Sequence, residues 1–163
     1  MLSAMKPLTR RTLDWMPQAP VVVTRSVTTS APPEVVWKLI ADHEGWPDWF
    51  DGLTEVEPME PPEGVGGHRR VHLGPIVVEE EFLAWEPGSR FAFVVTHANR
   101  RLMTSMVEDV RLTPAGEGTE VSYTQAVEPR FGFMSPLLRR AFGRTLDKGL
   151  AGLAATAEGR PLD

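Results

Sequence analysis

The chain has 163 residues, 42% of them apolar and 24% charged, which suits one globular domain able to bury its own core. With 17 basic against 22 acidic residues its net charge is −5, so the basic excess that serves general nucleic-acid or anionic-membrane binding is missing. The absence of cysteine excludes disulfides, thiolate catalysis and cysteine-ligated metals.

No apolar run approaches the roughly 20 residues of a membrane-spanning helix. No apolar stretch follows Arg10-Arg11 either, so a soluble, cytoplasmic protein is expected. Residues 1–19, broken by Pro7 and Pro17, read as an N-terminal appendage with one short helix around Leu8 to Trp15, ahead of a single domain over 20–160. Val21 to Thr29 is rich in β-branched residues and reads as a strand. Ser30 is placed to cap a helix, with Pro32 and Pro33 in its first turn and Glu34 near its positive end. Gly45-Trp46-Pro47-Asp48-Trp49-Phe50 is either a second short helix or a wide loop. Extended segments follow near 52–59, 67–73, 76–86, 90–97, 102–113 and 119–128, divided by turn signals such as Gly74-Pro75 and Pro87-Gly88. Connections this short imply antiparallel hairpins.

Ser135 as N-cap and Pro136 open a last helix reaching about Glu158, with Leu138, Phe142, Leu146, Leu150 and Leu153 at helical spacing. Arg139, Arg140, Arg144 and Lys148 read as its solvated face. Gly143, Gly149 and Gly152 each cost this helix about 1 kcal/mol relative to alanine. Close approach to the sheet, or added cavity volume, would justify that cost. Strands and helices are segregated, so the class is α+β. A sheet this long must twist and curl, leaving space between it and the one amphipathic helix available to cover it.

Ala31-Pro32-Pro33-Glu34-Val35-Val36-Trp37, followed by Asp42-His43-Glu44-Gly45-Trp46-Pro47-Asp48-Trp49-Phe50, resembles the polyketide cyclase/dehydrase branch of the START-like (SRPBCC, helix-grip) superfamily. Trp85-Glu86-Pro87-Gly88-Ser89-Arg90-Phe91 and Gly118-Thr119-Glu120-Val121 fit the same pattern, which runs from about Val21 to Glu158. The resemblance implies a helix-grip, Bet v 1-like fold: a seven-stranded curved antiparallel sheet wrapped around the C-terminal helix, with two short helices after the first strand. A deep apolar cavity between sheet and helix is implied with it. The expected partner is an apolar, polyketide- or terpenoid-like small molecule, with no nucleic acid, no cofactor and no metal, and the chain acts as a monomer or homodimer.

Alternate strand residues share a face, which selects the cavity wall. On 119–128 the inward set is Val121, Tyr123, Gln125 and Val127, and Tyr123 and Gln125 resemble the cavity-lining aromatic and Gln of aromatic polyketide cyclases. On 102–113 the set Leu102, Thr104, Met106, Glu108, Val110 and Leu112 is favoured. Glu108 beside Tyr123 would form an acid/base pair, since burial raises a carboxyl pKa toward working pH. Within Glu79-Glu80-Glu81 at least one carboxylate must face inward, and parity leaves open which. Glu79 and Glu81 therefore join Glu108 and Tyr123 as candidate catalytic residues. Trp46, Phe50, Leu83, Met106, Gln125 and Phe142 are the candidate ligand contacts.

His68 and His72 lie four apart on a strand, roughly 13 Å, too far to share a metal ion. His97 reads as a rim residue, and the histidines are expected to be peripheral. Aromatic polyketide cyclases carry an Arg on the middle strand and a Tyr after the entrance aromatics, where a gap-free comparison places Leu83 and Leu53. The expected activity is cyclisation or dehydration by acid/base side chains; the alternative is a non-catalytic carrier or sensor of an apolar molecule.

Overall fold

The computed structural model describes residues 4–162. Its elements follow the expected order. Strand β1 (Lys6–Pro7) and a 3-10 turn (Leu13–Gln18) precede β2 (Val21–Thr29), helix α1 (Pro33–Ala41) and a second 3-10 turn (His43–Asp48). Then come β3 (Glu55–Met59), β4 (His68–Leu73), β5 (Ile76–Glu86), β6 (Arg90–Ala98), β7 (Met103–Ala115) and β8 (Gly118–Pro129), and finally α2 (Ser135–Ala157). The strands pair antiparallel in the order β2-β8-β7-β6-β5-β4-β3, so the chain's first long strand closes onto its last. This is the helix-grip architecture, a curved antiparallel sheet around one long C-terminal helix.

The helix starts differ slightly from their expected caps. Pro32, not Ser30, is the N-cap of α1, and α2 begins at Ser135 itself with Met134 before it; neither cap makes a side-chain hydrogen bond. Prolines preset the first turn in both helices, which makes the hydroxyl cap dispensable. The tryptophan-rich segment after α1 resolves into a 3-10 turn with Pro47 inside it.

The main core lies between the inner sheet face and α1, α2 and the second 3-10 turn, and includes Val36, Ile40, Trp46, Phe82, Phe91, Phe93, Leu146 and Leu153. A second, smaller core lies on the outer face. There Met16, buried among Val94, Val107 and Ala126, fastens the N-terminal segment across the sheet with Leu13, Trp15 and Ala19. The segment expected as an appendage thus covers sheet surface, and its turn falls at Leu13–Gln18 rather than Leu8 to Trp15.

Gly149 and Gly152 of α2 serve close approach rather than cavity volume. A Cβ on Gly149 would stand 2.6 Å from the Phe50 ring, and one on Gly152 would run into the Trp49 backbone carbonyl. Backbone cannot step aside as a side chain can, so overpacking outweighs the roughly 1 kcal/mol of helix propensity that alanine brings. Gly152→Ala is expected to lower stability by about 2 kcal/mol in urea denaturation; an unchanged or raised midpoint would contradict this packing.

Candidate functional site: a charged floor in an apolar cavity

Between the sheet and α2 lies a cavity of about 200 Å³. Its walls are apolar, with Trp46, Phe50, Val78, Phe93, Met106 and Phe142 among them. Its floor is polar: Arg69, Glu80, Glu108, Tyr123 and Gln125 all line it, and each is at least nine-tenths buried.

Strand register brings these groups together. Glu108 on β7 lies opposite Gln125 on β8, and Tyr123 is two residues further along the same face. Arg69 on β4 lies opposite Glu80 on β5. Glu108 Oε1 accepts from the Tyr123 hydroxyl at 2.7 Å and from Gln125 Nε2 at 2.9 Å. Arg69 Nε donates to Glu80 Oε1 at 2.6 Å. The Arg69 guanidinium also lies over Trp46, Phe93 and Phe91, with ring centroids at 4.2, 4.9 and 5.0 Å. These faces supply the cation with a negative quadrupole in place of water.

One cation therefore faces two buried acids. Burial pushes the Glu80 carboxyl above its ordinary value, with the Arg69 charge and hydrogen bond opposing the rise. Glu108 has no such direct partner: burial, then the Glu80 charge, pushes it up to about 7, against weaker opposition from Gln125, Tyr123 and Arg69. Geometry thus assigns the carboxylate to Glu80 and the proton near neutrality to Glu108. The Tyr123 phenol is raised as well, by burial and by the adjacent Glu108, so it stays a donor.

His43 closes the floor from behind. Its Nε2 lies 2.9 Å from the Pro62 carbonyl, which accepts only, so that nitrogen carries the proton. Nδ1 is left to accept from Arg69 Nη1 at 3.4 Å. Burial, then the Arg69 charge, pushes this imidazole down to about 4.

Of the sequence-derived site residues, Glu108, Tyr123, Trp46, Phe50, Met106, Gln125 and Phe142 meet at this cavity. Glu79, Glu81 and Leu83 do not. Glu80 takes the inward position, while Glu79 pairs outside with Arg70 and His97, and Glu81 with Arg10 and His68. Leu83 packs on the outer core with Met16. A bulge between Phe82 and Ala84 explains the ambiguous parity, because past it Trp85 returns to the inner core beside Phe82. Thr104 is displaced in the same way: a register shift between Met103 and Ser105 puts Met103 on the cavity wall.

Sequence reasoning missed two residues. Arg69 follows His68 in a strand whose charged residues look solvated, and only the cross-strand partner Glu80 reveals its burial. His43 is buried among Phe82, Trp85 and Phe91 rather than peripheral. Outside the cavity, His72 bonds Glu57 at 2.7 Å and lies within 4.8 Å of Glu55, a grouping the sequence reading did not name.

A curved antiparallel sheet gripping one long C-terminal helix defines the helix-grip class of fold. The chain belongs to the family described as polyketide cyclase / dehydrase and lipid transport, which matches residues 20–158. An uncharacterized protein of Mycobacterium tuberculosis is 32% identical over 150 residues, spanning 87% of this chain and 90% of its own length. A Mycobacterium bovis protein, also uncharacterized, matches equally. Among solved structures, the Zhui aromatase/cyclase of Streptomyces sp. R1128 superposes with a TM-score of 0.69 at 22% identity, covering 84% of this chain and 93% of that one. A START superfamily protein of Mycobacterium smegmatis gives 0.72 at 16%, covering 85% and 97%. At these identities the structural likeness speaks for the fold. No described helix is long and apolar enough to cross a membrane.

Removing one partner of a buried pair leaves an uncompensated charge, at a cost of about 3–5 kcal/mol, whereas replacing both by apolar groups is close to neutral. Arg69→Met should therefore destabilise strongly, and Arg69→Met with Glu80→Met should recover most of the loss; additive losses in urea titrations would refute the pairing.

Native Glu108 binds its proton more tightly than the unfolded chain does, so its contribution to stability is full below about 4.5 and is lost as pH rises through about 7. His43 acts oppositely: it is held neutral, and its contribution grows as pH rises from about 4 to 6.5. Glu108→Gln removes only the first, so the variant should gain stability on the wild type as pH rises from about 4.5 past 7. Parallel stability curves would contradict the assignment.

Proposed function

We propose that the protein binds an apolar small molecule in this cavity and moves a proton on it through Glu108, in a cyclisation or dehydration. The observation that carries the reading is a carboxyl poised near neutrality, enclosed by apolar walls and steadied on one oxygen by Tyr123 and Gln125. Both bonds fall on Oε1, which leaves Oε2 to exchange a proton with the ligand. For a β-hydroxy ketone the step balances simply. The Glu108 carboxylate takes the proton α to the carbonyl, and the resulting acid returns it to the departing hydroxyl. The C–H and C–O bonds break, a C=C bond forms and water leaves. General acid/base catalysis of this kind contributes about 10²–10⁴-fold.

A carrier role is the second reading, and the predominantly apolar walls, among them Trp46, Phe50, Val78, Phe93 and Met106, support it. A carrier needs the shape of the cavity and not its proton.

The readings separate on 4-hydroxy-4-phenylbutan-2-one, whose dehydration to the conjugated enone is followed by near-ultraviolet absorbance. An enzyme should show kcat/KM rising with pH through about 7 and falling about 100-fold or more in Glu108→Gln, with ligand affinity little changed. Glu79→Gln and Glu81→Gln, on the outer face, should leave turnover intact. Binding of the ketone with no Glu108-dependent turnover would favour the carrier, and native mass spectrometry of the freshly purified protein would then identify its cargo.

A further inference from the structure

The cavity is small for the molecules it would serve. A space of about 150 Å³ holds one benzene ring, so about 200 Å³ holds little more than one or two rings or a short alkyl chain. Anything longer must leave through the mouth. Cavity-lining residues that are not fully buried mark that mouth: Leu53, Leu73, Ile76, Leu102, Met103, Leu138, Phe142 and Thr145.

Met103 is also part of a second depression of about 280 Å³, lined by Lys6, Arg100, Arg101 and Arg130 and by no acidic residue. Three separate segments build it. Strand β1 pairs Lys6 with Ala98 at the end of β6, beyond the point where β6 leaves β7. The β6–β7 turn carries Arg100 and Arg101. The Arg130 backbone N–H donates to the Leu102 carbonyl at 3.2 Å, which brings the end of β8 against that turn.

None of the four cations enters an ion pair among the described residues, whereas Arg10, Arg11, Arg25, Arg69, Arg70, Arg90 and Arg111 all do. On a chain of net charge −5 this local excess is invisible in the composition. The approach to it is apolar: Phe131 and Phe133 stack at 5.6 Å while 47% and 82% exposed, and Arg130 lies over Phe131.

We propose that this depression is an anion site for the phosphate head of an amphiphilic ligand whose apolar end enters the cavity. Four cations exceed what a single carboxylate would balance, and guanidinium groups match phosphate oxygens through paired hydrogen bonds. The shared wall at Met103 lets one molecule occupy both sites. The inference rests on the reading of the cavity as an apolar ligand site, and its test keeps the two apart.

Octyl phosphate and 1-octanol, titrated by calorimetry, carry the same tail with and without the charge. Octyl phosphate should bind the wild type about tenfold or more tightly than 1-octanol in dilute salt, and 0.5 M salt should shrink that advantage. Arg100→Gln, Arg101→Gln and Arg130→Gln together should abolish it while leaving 1-octanol affinity within about twofold. Equal affinity of the two compounds would overturn the anion site and leave the cavity reading standing. A phosphate preference that survives the triple variant would also overturn it, since the charge would then be read elsewhere. Failure of both compounds to bind would defeat the cavity reading and this proposal together. Vesicles of phosphatidylcholine with and without phosphatidic acid distinguish the source of the head. Arginine-dependent sedimentation with phosphatidic acid supports the site and places the phosphate in a bilayer. Binding of monomeric octyl phosphate without sedimentation supports it with a free amphiphile.

Discussion

Two carboxyl groups and one guanidinium share a space from which water is largely excluded, and much of the architecture can be understood as what that requires. An isolated buried charge costs many kcal/mol, so the arrangement survives only if each ion has a partner or surrenders its charge. Arg69 and Glu80 take the first course and Glu108 the second. The partners come from distant parts of the chain. Trp46, which covers the guanidinium, belongs to the turn after α1 and is held by its indole N–H bond to the Ile40 carbonyl at 2.8 Å. Phe91 and Phe93 approach from β6, and His43 from the start of the same turn as Trp46. The charge on β4 thus fixes where the short helices sit against the sheet. α2 completes the enclosure by packing Gly149 and Gly152 directly on Phe50 and Trp49.

The same arrangement gives the cavity its chemical character. Apolar walls alone would make a container. The floor adds a proton held near neutrality, a tyrosine kept in its donor form and a glutamine whose Oε1 is buried with no protein partner. An unsatisfied buried acceptor is costly unless something else meets it, and a hydroxyl on a bound molecule would do so. The histidine behind the arginine stays neutral and adds no charge. A guanidinium does reach the cavity, and it does not come from Leu83, the residue that a gap-free comparison sets against the arginine of aromatic polyketide cyclases. It comes from the next strand, at Arg69, already neutralised by Glu80, and so suits the role of tuning Glu108 better than that of a free electrophile.

Much of the fold was legible because local signals and the global arrangement agree. The β-branched run at Val21 to Thr29, the Gly and Pro dividers between the later strands, and the leucine spacing of α2 each specify one element without reference to the others. The Glu108–Tyr123–Gln125 grouping was legible for the same reason, since simple alternation holds along β8 and along that part of β7. What escaped depends on interruptions and long-range partners. A bulge in β5 makes both faces of that strand look equally apolar, so parity leaves open which of Glu79, Glu80 and Glu81 faces inward and lets Leu83 read as a cavity residue. Arg69 and His43 gain their meaning only from groups far away in sequence, Glu80 for one and the Phe82 and Phe91 rings for the other.

Burial, and after it the Glu80 charge, holds the Glu108 proton near neutrality, while Arg69 opposes the upward push of burial on Glu80. The most direct measurement is a pH titration of the glutamate side-chain carbons by NMR, with Glu108 assigned from Glu108→Gln and compared between the wild type and Glu80→Gln. Glu108 should titrate near 7 in the wild type. It should fall toward the ordinary carboxylate range once the neighbouring charge is gone and Arg69 is released to it. A Glu108 that titrates between about 4 and 5 in both proteins would contradict the account.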